Sequence, residues 1–518
     1  MPNVRHLLVR TLVLLVLPIA SFAFGLRGAS GPRENDAAAE SRLGEAVRRG
    51  ELPSWDPERS TGVALAALSS PGAWDPVRAP RYLAPPGRAG ACSDLLALIL
   101  AGFGAWSLLA RRATSARSCC FAAWTVQGGA WLVLRMHGPA ALDAAAWMPW
   151  ACWAVDGVRR GARGSAFALV LATAFAFVAG DLVAGAIVAA GALLYAAVGA
   201  RFELSVAMRA LLACALGFAA AAVQWWPALA ARDNVVFAVT KTSAEEPSAA
   251  LLDALRHAAG DGRVLQLCEG TEAQLALAAH GIAELAPARG PADRRAVELL
   301  RRADPAGASE DGGWRLAHAS FVNHRVLDLL RVSAIVTRSP IENPRLTLVH
   351  FGDGAFVYGR AGALPLVRVV PAELVRVGGD VAVLGLLAAG GLDPSKTAVA
   401  STEDALPESA SRAPFVPGEL LVRRSASDRI DVEVRGSSGG WLVFQERFSD
   451  GWKAAIDGAD AEFVRVDHAC RALCLKPGDS IVRTKYEPLA LRLGAALSIA
   501  ALLVAFALAA REERARSR

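Results

Sequence analysis

The chain has 518 residues, 54% of them apolar and 20% charged, with a formal net charge of +6 and a mean hydropathy of +0.34. That pairing of high apolar content with ample charge excludes a disordered chain and an ordinary soluble globule, and it predicts membrane segments joined to a soluble part. The positive charge sits in short Arg clusters between apolar runs and forms no basic face interleaved with aromatics, which excludes a nucleic-acid partner.

Apolar runs near the 20 residues that a spanning helix needs occur at 7–25, 92–110, 118–136, 140–157, 164–180, 182–200, 206–230 and 488–510. They predict about eight spans. The first run, with a basic start and Ser21-Phe22-Ala23 near its end, reads either as a span or as a cleaved signal peptide. Arg5 and Arg10, then Arg111, Arg112 and Arg117, then Arg159, Arg160 and Arg163, then Arg201 and Arg209, and the tail REERARSR all fall on one side under the positive-inside rule. Two segments are thereby placed outside: the loop 26–91 and the long stretch 231–487. The runs 164–180 and 182–200, parted by Gly180-Asp181, read as a helical hairpin turning at the outer surface.

The outer loop contains RENDAAAESRLGEAVRRGELPSWDPERSTG, Arg33 to Gly62, a polar stretch of mixed acids and bases. Within it Asp56 stands between Trp55 and Pro57, a setting that favours a turn with an Asx-type bond to the backbone. Arg135 and His137 fall at the outer end of the third run, where an Arg either binds phosphate or snorkels to headgroups. Asp143 and Asp181, also at outer helix ends, pair with Arg135 or cap helices. Gln224, Trp225, Trp226 and Pro227 close the seventh run, where paired Trp residues fit an interfacial belt or a stacking surface for sugar or lipid.

The stretch 231–420 reads as an α/β region. SAALLDALRHAA and PADRRAVELLRRA have helical spacing, whereas RVSAIVTRS, RLTLVHF and AFVYGR read as strands. From 421 to 487 the alternation predicts a β-sandwich, with Ile430, Val432 and Val434 on one face and hairpin turns at Asp457-Gly458 and Pro477-Gly478. A final helix and basic tail occupy 488–518. Of the eight Cys residues, Cys92, Cys119, Cys120, Cys152 and Cys214 lie in or beside apolar runs, where Cys behaves as a small hydrophobe. Cys470 and Cys474 lie in the outer segment, roughly 13 Å apart if on one extended strand, too far to bridge without a turn.

GELPSWDPERSTG, AAAWMPWACWAVDG, AAVQWWPALA, LLRVSAIVT with VYGRAGALPLVRVV, and FSDGWKAAIDG with LKPGDSIVRTKYEP together resemble the YfhO-like bacterial membrane proteins, a family assigned to the GT-C superfamily of glycosyltransferases. The motifs run in the same order over about 45–510. Three features depart from that family: Asp56 stands where it usually has Asn, Gly180-Asp181 where it usually has Gly-His, and the helical part is shorter.

The resemblance implies an α-helical polytopic membrane protein of GT-C type, with 1–230 as its membrane domain. The implied activity is transfer of a sugar from a polyprenyl-phosphate carrier to a cell-envelope glycan or polymer at the outer face of a bacterial inner membrane. A carboxylate in the first outer loop would take the acceptor proton. Asp36, with Glu34 beside it, stands near the end of the first run and fits that role. Cations must meet the phosphate as charge develops on it, and Arg135 and His137 are the candidates. Trp55, Asp56 and Gln224 complete the expected substrate-binding set.

Other chemistries find no motif. There is no His-Glu-x-x-His, no Gly-x-Ser-x-Gly and no Gly-rich phosphate cradle. Some GT-C enzymes use a divalent ion, but no acid pair marks a metal site and no cofactor is expected. The competing expectation is a non-catalytic membrane anchor whose outward region binds glycan or a partner protein.

Overall fold

A computed structural model describes residue 44 and the stretches 54–64, 74–80, 86–112, 114–137, 139–199, 203–239, 247–267, 277–286, 289–308, 314–408 and 414–517, with Gly72 and the pairs 244–245 and 274–275. The chain folds as two units. One is helical and holds the described residues of 66–230 together with those from 489 onward; the other holds those between 53 and 65 together with 231–488.

Among the described residues, the helical unit has eight α-helices between 86 and 231: α1 (Pro86–Ala110), α2 (Ala116–His137), α3 (Pro139–Ala146), α4 (Met148–Arg159), α5 (Ser165–Val178), α6 (Leu182–Gly199), α7 (Leu204–Ala220) and α8 (Ala222–Ala231). A last helix, Leu489–Ser517, returns to the same unit. Their shared core is built from small residues: Ala151, Ala154, Ala172, Ala176, Ala192, Ala210, Ala213 and Ala505 are all buried. Small side chains let helix backbones approach closely where lipid supplies no hydrophobic drive. Gly217 of α7 shows this, since an added Cβ would lie 2.8 Å from the Val170 carbonyl oxygen of α5.

The outside of this unit is apolar as well. Val183, Ile187, Leu194 and Val198 on α6, Leu204, Met208 and Leu211 on α7, and Leu493, Ile499, Leu503 and Phe506 on the last helix are all exposed. An apolar surface of that extent is unfavourable in water and suits lipid, so the protein is membrane-associated.

Eight spans are not what the described helices provide. Gly90–Ala110 and Leu489–Glu512 are long and apolar enough to cross a membrane, and a third crossing is available if α7 and α8, bent by 61° at their junction, count as one. The run 140–157 breaks between α3 and α4 at Trp147. The helix α5 has 14 residues, about 21 Å at the α-helical rise, short of a hydrocarbon core of about 30 Å. The run 118–136 does form one helix, but Arg117, Gln127 and Arg135 interrupt its apolar character. The run 7–25 lies outside the described residues.

The second unit begins with a segment drawn from the 26–91 stretch. Its strands β1 (Trp55–Asp56) and β2 (Val63–Ala64) pair antiparallel. Four strands, β3 (Arg263–Leu267), β4 (Val332–Thr337), β5 (Leu346–Gly352) and β6 (Ala355–Arg360), form a sheet in the order β3-β4-β6-β5, with the helix α9 (Ala249–Ala259) laid against it through Leu251 and Leu255. PADRRAVELLRRA divides at Asp293, which caps the helix α10 (Arg294–Ala303) by accepting from Arg295 N. A carboxylate at the N-cap satisfies donors that the first turn leaves open.

Two further sheets face each other across a core of Val369, Ile430, Val432, Val434, Leu442, Phe444, Leu473 and Val482. One contains β7 (Val367–Val370), and the other starts at β8 (Glu419–Ala426) and β9 (Arg429–Ser437). The chain then alternates between them through β10 (Gly440–Arg447), β11 (Trp452–Ile456), β12 (Ala459–Ala461), β13 (Val464–Val466), β14 (Cys470–Leu475) and β15 (Gly478–Tyr486). The orders are β7-β10-β14-β13 and β8-β9-β15-β11-β12. This sandwich therefore draws on 367–370, upstream of the stretch 421–487 in which alternation is visible.

Asp457 and Gly458 turn β11 into β12 with φ of 53° and 85°, a two-residue turn with both centres left-handed, which Asp and Gly tolerate. Pro477-Gly478 is not a hairpin: β14 and β15 belong to different sheets, so the chain crosses between layers there. Cys470 and Cys474 are free thiols on one continuous strand.

Candidate functional site

The segment 54–64 is held to the second unit along its whole length. Ser60 N donates to the Glu284 carbonyl at 2.8 Å, Glu284 N donates to the Glu58 carbonyl at 2.9 Å, and Arg447 N donates to the Thr61 carbonyl at 2.9 Å. Thr61 Oγ1 donates to Asp293. Trp55 has no exposed surface; its ring lies 5.3 Å from that of Trp452 and 4.7 Å from that of Tyr486. The three aromatics come from GELPSWDPERSTG, FSDGWKAAIDG and LKPGDSIVRTKYEP, so three of the stretches quoted for the resemblance meet in one aromatic knot.

Asp56 is equally buried. Its Oδ2 lies 3.3 Å from Arg59 Nε, and its Oδ1 accepts from Glu58 N at 3.1 Å, the expected Asx-type bond. Trp55 and Asp56, members of the expected substrate-binding set, lie in the interior of the second unit, and Asp56 makes the turn bond that its setting favours.

In the helical unit several buried polar side chains gather around the start of α1. A 3₁₀ turn, Pro76–Arg78, is capped by Asp75, whose Oδ1 accepts from Val77 N at 3.0 Å. Ser93 Oγ of α1 donates to the Val77 carbonyl at 2.7 Å, which fixes the turn to the helix. Arg78 then reaches α3, where its Nε donates to Asp143 Oδ2 at 2.8 Å with neither side chain exposed. Its guanidinium passes close to Gly72 and the Ala179 carbonyl beyond α5: a Cβ added at Gly72 would lie 3.1 Å from Arg78 Cζ and 2.9 Å from that oxygen.

Asp75 and Asp94 are each 2% exposed, and Gln127 of α2, also buried, donates from Nε2 to the Leu98 carbonyl. Asp181 caps α6 by accepting from Ala184 N at 2.9 Å. The end of the unit where α1 and α4 finish is different, with Asp156 between Arg112 at 3.3 Å and Arg160 at 3.0 Å, and Arg111 over the Trp153 ring.

Of the remaining expected residues, Asp36 and Glu34 lie outside the described residues, and Arg135 and His137 fall in the last turn of α2. Gln224 is buried in α8, followed by Trp225, which stacks on Phe218 at 4.6 Å, and by exposed Trp226. Asp143 pairs with Arg78. Arg78, Asp75 and Asp94 were not singled out from the sequence, although a signal was there: Trp74-Asp75-Pro76 repeats the Trp55-Asp56-Pro57 triplet within the same loop. Among the described residues no group of three or more His, Cys, Asp or Glu side chains has the geometry to hold a metal ion.

No protein-family model matches the chain, and no curated protein matches it. Two cryo-EM structures of arabinofuranosyltransferase AftD from Mycobacteria are similar to it. A substituted form aligns with a TM-score of 0.41 at 14% identity over 93% of this chain and 60% of that one. A second structure aligns with a TM-score of 0.32 at 14% identity over 94% and 57%. The chain thus spans less than two thirds of the length of these proteins, and likeness at this level assigns neither family nor activity.

Proposed function

We propose that the chain is a membrane glycosyltransferase of GT-C type, which moves a sugar from a polyprenyl-phosphate carrier to a cell-envelope acceptor at the outer face of the membrane. The observation that carries this reading is the Arg78–Asp143 pair, buried with Asp75 and Asp94 at one end of the helical unit. Ionisable side chains are expensive inside a membrane protein and, where they persist, mark sites of chemistry or transport by default. The order of the YfhO-like motifs along the chain supports the same reading.

In this scheme Asp36, with Glu34 as the other candidate, takes the acceptor proton, and Arg135 and His137 meet the phosphate as the sugar departs. Asp75 and Asp94 join the acids to be tested, because they border the same loop. Arg78, oriented by Asp143, supplies positive potential at that end.

A second reading has its own observation. Trp55 and Asp56 are taken up by packing, which suits an anchored protein whose outer region binds glycan or a partner without catalysis.

The deciding experiment follows transfer of labelled sugar from polyprenyl-phosphate donors to a membrane acceptor pool. It compares the intact protein with Asp36→Asn, Glu34→Gln and Asp75→Asn at matched expression. Loss in one variant establishes the enzyme and its base. Turnover equal in all of them keeps the enzyme and rejects these acids, and no turnover by any form, over several donor sugars, transfers the case to the anchored binder.

A further inference from the structure

The second unit contains a cleft of about 720 Å³, bordered by the α/β sheet on one side and the sandwich on the other. Its charged lining includes Arg263 of β3, Arg331 just before β4, Arg424 of β8 and Glu446 of β10. Glu446 is ion-paired with Arg424 and with Arg471, the latter at 2.8 Å. Four guanidinium groups thus share this neighbourhood with one buried carboxylate. Glu58, Asp261 and Arg256 also line the cleft; Asp261 is exposed, and Arg256 pairs with Asp253 at 3.0 Å.

Two of the four guanidiniums have no carboxylate bonded to them. Arg263 is 1% exposed and donates only to carbonyls, from Nη1 to Leu330 at 2.9 Å and from Nη2 to Gln445 at 3.3 Å, while its buried Nε has no partner. Arg331, 6% exposed, donates to the Asp261 carbonyl, and its Nε is likewise buried without a partner. Arg331 also has a φ of 62°, an uncommon backbone state for a residue with a long side chain. Burial, with Arg331 nearby, lowers Arg263 to about 9, and burial lowers Arg331 as well, so both cations are short of compensation. A buried charge left in that state is costly unless something pairs with it.

We propose that this cleft binds a small molecule carrying a phosphate ester. A phosphate brings a charge of about −1.5 to −2 and three acceptor oxygens, which match forked guanidinium donors better than a single carboxylate does. The volume falls in the range of about 300–1,000 Å³ typical of small-molecule sites, so the ligand has a body beyond its phosphate. That body meets aliphatic walls, Ile282, Leu364, Leu366 and Val422, with no aromatic platform in the lining. The site lies wholly within the second unit and does not depend on glycosyl transfer.

The test is titration calorimetry on the full chain in zwitterionic nanodiscs. Inorganic phosphate, glucose 1-phosphate and dihexanoyl phosphatidic acid serve as probes, with glucose as the neutral control. At least one ester is expected to bind, with affinity falling tenfold or more in Arg331→Gln and in Arg263→Gln, and glucose is expected not to bind. A preference for the sugar phosphate or for the lipid phosphate identifies the source of the ligand.

Absence of binding by both esters overturns the proposal, as does affinity unchanged by Arg331→Gln. Inorganic phosphate binding as tightly as either ester overturns the part that gives the ligand a body. If Arg263→Gln does not fold, Arg331→Gln decides alone, its folding checked by thermal melting.

Discussion

Trp55 packs against Tyr486 with ring centroids 4.7 Å apart, at the point where Ser54 Oγ donates to the Tyr486 carbonyl across 432 residues of sequence. A segment of the first loop is therefore part of the core of a unit encoded mostly far downstream. Trp55→Ala is expected to destabilise the second unit by about 3–5 kcal/mol, the usual cost of removing a large buried aromatic. Trp452→Ala should cost a similar amount, and the double variant less than the sum, because the two rings share one contact. Denaturant unfolding followed by Trp fluorescence measures all three.

Gly62 is bound to the same knot. Its φ is 107°, and an added Cβ would stand 2.4 Å from Trp55 Cζ2. Gly62→Ala is expected to cost roughly 2–4 kcal/mol, combining backbone strain with overpacking. The same unfolding measurement checks it, and a cost no larger than that of a surface substitution would remove Gly62 from the account.

The Arg78–Asp143 pair predicts an asymmetry between single and double variants. Removing one partner leaves the other buried and uncompensated, so Arg78→Met or Asp143→Leu alone should lower stability by about 3–5 kcal/mol. Arg78→Met combined with Asp143→Leu should recover much of that loss. Thermal melting in detergent compares the three; additive losses would show that the pair is not coupled.

Glu284 sets a pH dependence. Burial pushes its carboxyl up from 4.5 to about 8, against the hydrogen bond from Gln266 and the nearby Arg59. A folded value above the unfolded one gives stability that is fully present below about pH 4.5 and is lost as pH rises through 8. Glu284→Gln keeps an acceptor for Gln266 and removes the titration, so its advantage over the parent should grow between pH 5 and pH 8, by a few kcal/mol in order of magnitude. Equal pH profiles of melting temperature would refute it.

Glu446 predicts the opposite slope at low pH. Burial alone would raise its carboxyl, but Arg424, Arg471 and Arg263 override this and hold it near 2. Its contribution is present above 4.5 and is lost as pH falls toward 2. In Glu446→Gln the loss of stability on acidification between pH 4.5 and pH 2 should shrink, an outcome that melts at stepped pH record directly.

Much of the second unit was legible because strands and helices announce themselves in period. Ile430, Val432 and Val434 alternate and are buried, SAALLDALRHAA carries its Leu residues at helical spacing, and Asp457-Gly458 has the residue types of a tight hairpin turn. Pro477-Gly478 looks the same locally but crosses between sheets, because turn chemistry does not say which strand lies alongside. The helical unit was harder to read. Ala-rich runs have enough hydropathy for spans, but where Trp147 or Ala221 breaks them is decided by packing against neighbouring helices.

What the sequence by itself determined is thus composition and local pattern: apolar helices suited to lipid, a soluble region with alternating strands, and a polar loop rich in acids. Only the tertiary structure decided where its described segment, 54–64, belongs. Trp55 and Asp56 carry no signal of burial in a loop of mixed charge; they are buried because Trp452, Tyr486 and Arg59 surround them, contacts that arise only when distant strands close into a sandwich. The same holds for Arg78 and Asp143. Arg78 looks like an ordinary surface charge in its own stretch and Asp143 like a helix-end acid for Arg135 or a cap; the energy that makes them a pair comes from excluding water between segments separated in sequence.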